Sequence, residues 1–396
     1  MRQRTPRRHR LSQRRFRTVN MARGSTDAVR RFSDWYFDRT LPHWRHHVID
    51  QNVGGFHEAL DKSGAGTSNG GKRTMVQARL CFVFAHAFQK HGNPADLAAA
   101  QGGFEFLSSH CRHPDGGWFH KLTEDGAPLD QDRDLYDHAF ILFATAWLDR
   151  AGVELARETA ETTQSFLDAE MAHPEGGFIE QAGRATLPRR QNPHMHLLEA
   201  CLAWYETSNE NIWLDRAARI VSLFNEAFVV DGSLREYFSE NWQPMAGDSG
   251  RLIEPGHHFE WVWLLHRYAK LTGQQSEHMR SLYDFACAHG VDKVSGGVVD
   301  VISADGTLLS PNHRLWPQTE AIKAHNVYRK SGDKDAGKRL DATLNAFWQN
   351  HLKDEPNGVW REHIGPDGKR LRDDMPGSSP YHLAMAVGEI LDEPDA

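Results

Sequence analysis

The stretch Gly116-Gly117-Trp118-Phe119-His120-Lys121-Leu122-Thr123-Glu124-Asp125-Gly126 has the composition of a tight turn followed by a β-hairpin. Five other stretches resemble its first three residues and recur at nearly even spacing. The six turns are Gly54-Gly55-Phe56, Gly116-Gly117-Trp118, Gly176-Gly177-Phe178, Asp231-Gly232-Ser233, Gly296-Gly297-Val298 and Asn357-Gly358-Val359. They lie 62, 60, 55, 65 and 61 residues apart, which is too long for the common solenoid repeats but suits a helical hairpin with a connecting turn.

Each turn lies between two segments with helical patterns of apolar residues. The downstream segments, such as 140–148, are apolar on nearly every face, which is typical of helices that are buried on most sides. The upstream segments are more amphipathic and cover residues 26–45, 95–111, 153–171, 211–229, 275–289 and 334–352. Six such pairs can close on themselves. The repeat therefore predicts an all-α (α/α)6 barrel, with an inner and an outer ring of helices and short β-hairpin loops.

The inner segments share a polar position. Aligning them on their apolar runs superposes Arg79, His138, His196, Glu260, Glu320 and His382. Prolines such as Pro193, Pro317 and Pro380 mark helix starts, so we expect the aligned residues in the first turn of each inner helix, all at one mouth of the barrel. Each residue alone could be an ordinary helix-start residue. Six in register, including three histidines and an arginine, favour one axial pocket.

Composition restricts the class of protein. The 396 residues are 39% hydrophobic and 25% charged, and no apolar run is long enough to span a membrane. Residues 1–20 carry eight arginines and no acid, so we expect residues 1–24 to be a basic, disordered leader before a single domain over 25–394. Without residues 1–20 the net charge changes from −7 to −15, and an acidic body without a basic stripe argues against nucleic acid. The four dispersed cysteines favour the reducing cytoplasm.

Five segments in and before the inner helices together resemble a known family. They are Val76-Gln77-Ala78-Arg79, Asn192-Pro193-His194-Met195-His196, Glu254-Pro255-Gly256-His257-His258-Phe259-Glu260-Trp261, Arg314-Leu315-Trp316-Pro317-Gln318-Thr319-Glu320 and Ser378-Ser379-Pro380-Tyr381-His382-Leu383. In combination they are similar to the N-acylglucosamine 2-epimerase family, which also contains cellobiose 2-epimerases, mannose isomerases and sulfoquinovose isomerases. The resemblance covers about 370 residues and implies an (α/α)6 barrel that acts on an open-chain sugar.

The resemblance also implies roles for individual residues. The paired acid/base histidines of the family fall on His257 and His382, and its conserved arginine falls on Arg79. The substrate-binding positions that it implies, or that lie beside them, are His196, Glu260, Glu320, Trp316, Tyr136, His138 and Tyr381. No cofactor and no metal are implied, and the partner is a monosaccharide bound by a monomer or homodimer.

These residue types suit proton transfer beside a sugar carbonyl. An ordinary histidine pKa near ~6.5 lets the side chain serve as base and as acid near neutrality. A helix N-terminus disfavours the imidazolium form, so we expect it to help keep the base neutral. Arg79 would hold the developing enediolate with two hydrogen bonds, and Trp316 would offer its ring to the C–H face of the sugar.

Several functions remain open from the residues alone. The preferred one is an aldose–ketose isomerase for mannose and fructose, followed by a sugar 2-epimerase with the same two histidines. Glu260 and Glu320 could instead be the acid and base of an (α/α)6 glycoside hydrolase, although the histidines and the arginine argue against it. A protein-binding scaffold would leave the polar ring unexplained. His194 with His196, or His257 with His258, could bind a metal, but no H-E-x-x-H motif accompanies them.

Overall fold

Six helices form an inner ring in the computed structural model, which describes residues 26–184 and 186–391. These inner helices are α3 (Thr74–His91), α5 (Leu135–Arg150), α7 (Gln191–Ser208), α10 (Pro255–Thr272), α12 (Leu315–Lys330) and α14 (Ser379–Leu391). Consecutive inner helices pack on one another. Most of their residues are buried, in agreement with apolar character on nearly every face.

The outer ring covers the inner one with amphipathic helices. It consists of α1 (Asp27–Trp35), α2 (Leu41–His47), α4 (Pro94–His110), α6 (Ala156–Phe166), α8 (Asn211–Leu223), α11 (His278–His289) and α13 (Lys334–Phe347), and the short α9 (Gly247–Arg251) lies in a loop. Four π-helical turns at Tyr36–Thr40, Leu167–Met171, Phe224–Phe228 and Trp348–Leu352 join α1 to α2 and extend α6, α8 and α13. Outer helices bury one side only: α1 buries Phe32 and Trp35 against Phe347 and exposes its charged residues.

The ring closes on itself. The last inner helix, α14, packs against both α12 and α3. At the same junction Ala59 pairs with Pro376 and Leu60 with Met375 in an antiparallel ladder. Closure buries the end faces that an open array of helical hairpins would expose. The predicted all-α (α/α)6 barrel is confirmed.

Short strands join the units at the mouth. They are β1 (Ala59–Leu60), β2 (Gly66–Thr67), β3 (Lys72–Arg73), β4 (Lys121–Leu122), β5 (Pro128–Asp130), β6 (Arg189–Arg190), β7 (Val229–Val230), β8 (Ser233–Leu234), β9 (Tyr237–Phe238), β10 (Leu252–Ile253), β11 (Val301–Ser303), β12 (Leu308–Ser310), β13 (His313–Arg314), β14 (His363–Ile364) and β15 (Met375–Pro376). All pairings are antiparallel, in the orders β15-β1-β2, β3-β4-β5, β6-β9, β7-β8, β10-β11-β12 and β13-β14. Strands β3, β6, β10, β13 and β15 lead into inner helices, so the hairpins surround the helix N-termini.

A polar side chain near the start of most inner helices holds the turn of its own unit. Gln77 accepts the N–H of Phe56 at 2.8 Å, and Gln318 accepts the N–H of Val298 at 2.7 Å. The Nε2 atom of His194 accepts from Phe178 at 3.0 Å, and that of His258 accepts from Leu234 at 3.1 Å. These bonds fix the turns to the barrel and satisfy backbone donors that would otherwise be buried without a partner.

The expected leader, the bounds of the expected domain and the expected absence of a membrane span can be compared with the described residues. The basic leader 1–24 lies outside the described residues, and so do residues 25, 185 and 392–394 of the proposed domain. Among the described helices, none is long and apolar enough to cross a membrane.

Candidate active site

A cavity of about 320 Å³ opens at the N-terminal ends of the inner helices. Seven of the ten predicted site residues line it: Arg79, Tyr136, His196, His257, Glu260, Trp316 and His382. Two larger grooves, of about 800 and 360 Å³, lie between outer helices and contain none of the ten. The axial cavity is therefore the site that collects most of the predicted site residues.

His257 is the third residue of α10 and is buried at the cavity wall. Its Nδ1 atom lies 2.9 Å from Oε2 of Glu236, a buried carboxylate that also accepts from Gln191 at 2.8 Å. Burial lowers the pKa of His257, but the charge and hydrogen bond of Glu236 outweigh it and raise the pKa to about 9. The neutral base that the sequence predicts is therefore not His257, because the carboxylate in contact with it favours the imidazolium form.

His382 has the opposite charge state. Its Nδ1 lies 2.8 Å from Oε1 of Glu320, whose other oxygen is 2.6 Å from the ammonium of Lys323. Burial, followed by the nearby charges of Arg79 and Lys323, lowers the pKa of His382 well below its usual range. The resting site therefore contains one imidazolium, at His257, and one neutral imidazole, at His382. In both rings a carboxylate holds Nδ1, which leaves Nε2 for a substrate.

Trp316 lies beside both histidines. Its ring centroid is 4.9 Å from that of His257 and 5.7 Å from that of His382. Gly256 makes this approach possible, because a Cβ at that position would come within 2.5 Å of the indole ring. An apolar ring close to an acid and a base offers a surface on which the C–H face of a sugar can stack.

Arg79 supplies a buried positive charge at the wall. Its guanidinium donates to the backbone carbonyl of Ser378 at 3.1 Å and to the Tyr136 hydroxyl at 2.7 Å. The rings of Phe140 and Tyr381 lie 4.0 and 4.7 Å from its central carbon. No carboxylate of the described residues forms an ion pair with it within 4.0 Å, so its charge is available to an anion that forms in the cavity.

The carboxylates below the cavity differ in their surroundings. Glu260 lines the cavity, and its buried Oε1 has no hydrogen-bond partner. Burial and the neighbouring Glu320 raise the pKa of Glu260 well above its usual range, so it carries a proton that a sugar oxygen can accept. His196 lies between Glu260 and Glu199, with its Nδ1 3.9 and 3.4 Å from their oxygens, and burial lowers its pKa to about 3.

Two groups of side chains could geometrically surround a metal ion. Ligand atoms of Glu260, Glu320 and His382 lie within 4.8 Å of one another, and so do those of His196, Glu199 and Glu260. The Lys323 ammonium already neutralises Glu320, and His382 directs Nδ1 to the same carboxylate. These contacts engage Glu320 and His382 internally, which favours a hydrogen-bonded relay between these two residues.

Three predicted residues lie away from the cavity surface. Glu320 and Tyr381 are fully buried behind His382 and Arg79 and act on those side chains. His138 stacks on Phe166, and its Nδ1 lies 2.7 Å from the Asp134 carbonyl, so its prediction as a wall residue does not agree with the structure.

The reason is that the alignment of the inner helices on their apolar runs is displaced by two residues in α5. His138 occupies the position of His194, whose Nδ1 also contacts the carbonyl four residues earlier. Phe140 is the true equivalent of the ring position, and it packs on Arg79 and His196. The residue that faces the axis is the sixth residue of its helix in α3, α5, α7, α10 and α12. It therefore lies in the second helical turn, whereas the sequence analysis expected it in the first.

Glu236 is the main site residue that the sequence analysis missed. A polar residue follows each turn, four or five residues after the turn begins, and all but His120 are buried: Glu58, His120, Glu180, Glu236, Asp300 and Glu362. Glu58, Glu180 and Asp300 each bind an arginine that precedes an inner helix, at Arg73, Arg190 and Arg314. Glu254 takes the arginine's place in the fourth unit, so Glu236 has no arginine and pairs with His257.

Comparison with known proteins agrees with this geometry. The model of the N-acylglucosamine 2-epimerase (GlcNAc 2-epimerase) family matches residues 54–386. The chain belongs to this family. A relative named mannose-6-phosphate isomerase, from Rhizobium meliloti (strain 1021), is 34% identical over 370 residues, which cover 90% of this chain and 95% of the relative.

Other members of the family are more distant in sequence and include both kinds of activity in their names. The D-mannose isomerase of Thermobifida fusca is 29% identical, with 78% of this chain and 81% of the relative covered. The structure of cellobiose 2-epimerase from Spirochaeta thermophila DSM 6192 superposes with a TM-score of 0.82 at 25% identity, covering 92% of this chain and 95% of the other. The family thus combines isomerases and 2-epimerases on one fold.

Proposed function

We propose that this enzyme is an aldose–ketose isomerase that interconverts D-mannose and D-fructose through a cis-enediolate. The observation that carries the proposal is the pair of histidines in opposite charge states, both close to Trp316. Relatives named mannose isomerase support the choice of sugar. Isomerisation needs a base for the proton at C2 and an acid that protonates C1, and the cavity offers one of each.

The reaction follows from the contacts. Neutral His382 removes the C2 proton of open-chain mannose, and the electron pair forms the C1–C2 double bond of the enediolate. Arg79 stabilises the negative charge that develops on the sugar oxygens. His257 donates its proton to C1 as the C2 carbonyl forms, and the hydroxyl proton of O2 passes to O1. His382 then holds the proton and His257 has lost one, and exchange with water restores both.

The charges at the mouth favour a free sugar over a sugar phosphate. Arg73 pairs with Glu58, Arg372 pairs with Asp374, and Arg314 lies 2.7 Å from Glu254 and 3.1 Å from Asp300. A phosphate brings about −1.5 to −2 charges and requires cations that are not already neutralised. We therefore propose mannose itself as the substrate, although one relative is named for the 6-phosphate.

A 2-epimerase is the second candidate, since relatives carry that name and the same two histidines could act on opposite faces of C2. A glycoside hydrolase is only a distant alternative. Its acid and base would be Glu260 and Glu320, but both oxygens of Glu320 are engaged by His382 and Lys323.

The setting is part of the same proposal. We propose a single domain over residues 25–394, and the packing of the last inner helix on the first supports it. The four cysteines Cys81, Cys111, Cys201 and Cys287 are free, which suits the cytoplasm, and the enzyme acts as a monomer or homodimer without a cofactor.

Product analysis tests the proposal. The protein is incubated separately with mannose, mannose 6-phosphate and N-acetylmannosamine, and products are followed by NMR. Fructose from mannose, with slower turnover of the phosphate, is the expected result. Glucose as the first product of mannose would replace the isomerase with the epimerase, and preference for the phosphate would refute the charge argument.

A further inference from the structure

Lys323 is a fully buried lysine one helical turn after Glu320 on α12. Its ammonium lies 2.6 Å from Oε2 of Glu320 and 3.9 Å from the ring centroid of Trp263. Among the described residues, Glu320 is its only ion-pair partner. Burying an ammonium is costly unless its charge is used, so a lysine sealed below the cavity requires an explanation.

The ammonium begins a line of contacts that ends in the cavity. Lys323 holds one oxygen of Glu320, and the other oxygen of Glu320 holds Nδ1 of His382 at 2.8 Å. His382 lines the cavity with the rest of its ring. Lys323 has no contact with the cavity surface, so it acts on a substrate through Glu320 and His382.

Other charged and titratable groups face this relay from the neighbouring inner helices. They are Arg79 on α3, His196 and Glu199 on α7, His257 and Glu260 on α10, and Tyr381 and His382 on α14. Lys323 and His257 act on both Glu260 and Glu320, and Arg79 also acts on Glu320. Lys323 contacts Glu320 directly, so it favours the ionised form at Glu320 more than at Glu260.

We propose that Lys323 is a positioning residue for the base: it keeps Glu320 ionised, and Glu320 thereby holds the proton of neutral His382 on Nδ1. The Nε2 lone pair then faces the substrate. This inference rests on the proposed function insofar as it assigns His382 the role of base, but it holds for the isomerase and for the 2-epimerase alike.

Removal of the ammonium reverses the hydrogen bond. Burial outweighs the nearby cations and raises the pKa of Glu320, and Lys323 is the main group that limits this rise. Without Lys323 the carboxyl group takes up a proton and donates to Nδ1 of His382. The imidazole proton then moves to Nε2, where it faces the sugar, and the ring cannot accept a proton from C2.

The test is Lys323→Met, which retains length and apolar bulk and removes the charge. We expect kcat to fall on the order of 10²-fold at pH 7, with little change in KM. Activity should recover as the pH rises and Glu320 ionises, so the acidic limb of the profile moves up by about one pH unit or more. Glu320→Gln should be equally slow without recovery at high pH, because an amide cannot ionise.

Lys330→Met is the matched control. Lys330 is on the same helix and pairs with Glu389 at 2.9 Å, away from the cavity. The Lys330→Met variant should leave the pH dependence of kcat unchanged, even if both variants lower the midpoint of thermal unfolding. The proposal would be overturned if the acidic limb of the pH profile of Lys323→Met coincided with that of the wild type. A lysine with only a structural role would change stability without moving this limb.

A measurement on the unmodified protein decides the matter if Lys323→Met does not fold. Histidine ¹⁵N chemical shifts distinguish the two neutral tautomers, and Glu320→Gln assigns the His382 signal by its displacement. We expect Nδ1 to carry the proton in the wild type. A proton on Nε2 would overturn the inference. If no sugar is turned over, the proposed function fails, but the tautomer still decides the role of Lys323.

Discussion

Replacement of Glu236 by glutamine tests whether a charged His257 is needed. The change removes one negative charge and keeps the size and the acceptor oxygen that lies 2.9 Å from His257 Nδ1. Burial lowers the pKa of His257 and only the surrounding carboxylates, with Glu236 foremost, raise it to about 9. In the variant we therefore expect a pKa at or below the ordinary value of about 6.5.

The magnitude follows from the two pKa values. With a pKa of about 9, more than nine-tenths of the wild-type His257 is protonated at pH 7.5. With a pKa of about 6.5 or less, at most roughly one-tenth is protonated, so kcat/KM at that pH should fall about tenfold or more. His382 has a pKa well below its usual range, so the base remains neutral at pH 6 and the variant should recover there.

The assay is kcat/KM for mannose from pH 5 to pH 10. The alkaline limb of the wild type should lie near pH 9, and that of Glu236→Gln should lie below pH 7. Glu240→Gln, at an exposed position of the same loop, is the matched control and should retain the wild-type limb. If the alkaline limb of Glu236→Gln coincides with that of the wild type, Glu236 does not set the charge of His257 during turnover.

Stability should change in the same experiment. The folded pKa of His257 is raised above its unfolded value, so the protonated form stabilises the fold fully below pH 6.5 and loses this effect as the pH rises through about 9. A shift from 6.5 to about 9 corresponds to about 3 kcal/mol. Urea unfolding should therefore show a larger difference between wild type and Glu236→Gln at pH 6 than at pH 10.

Three further outcomes are expected. His257→Ala and His382→Ala should each lower kcat by ~10²–10⁴-fold with the helical circular dichroism spectrum intact, and more than a tenth of wild-type activity in either would exclude that residue from proton transfer. Arg79→Lys retains the charge but cannot donate hydrogen bonds to Ser378 and Tyr136 at the same time, so kcat should fall roughly tenfold or more. Unchanged kinetics would show that Arg79 does not stabilise the enediolate. Activity should survive EDTA, because Lys323 already neutralises Glu320, whereas loss that one divalent ion restores would favour a metal at Glu260, Glu320 and His382.

The fold could be predicted because its information is local. Gly-rich turns recur at nearly even spacing, and each lies between an amphipathic helix and a helix that is apolar on nearly every face. These local patterns define the six units without any long-range contact. The slip at His138 shows the limit of this approach. His138 and Phe140 are both buried within one turn of α5, so an apolar pattern alone cannot decide which of them faces the axis.

The site was predictable only in part, because the charge states depend on residues that lie far from the histidines along the chain. His257 and Glu236 are 21 residues apart, and the intervening hairpin brings them together. The acid that follows the turn in five of the six units was a usable signal, since the fourth unit has Glu254 where three others have arginine. Nothing comparable marks Lys323, which looks like an ordinary polar residue of a helix until its burial is known.

Turnover of mannose in deuterated water tests the central claim most directly. If His382 removes the C2 proton and His257 protonates C1, early product should be fructose with deuterium at C1, observed by NMR before equilibrium is reached. Glucose as the first product, with deuterium at C2 and no early ketose, would contradict the isomerase while leaving the two-histidine site in place.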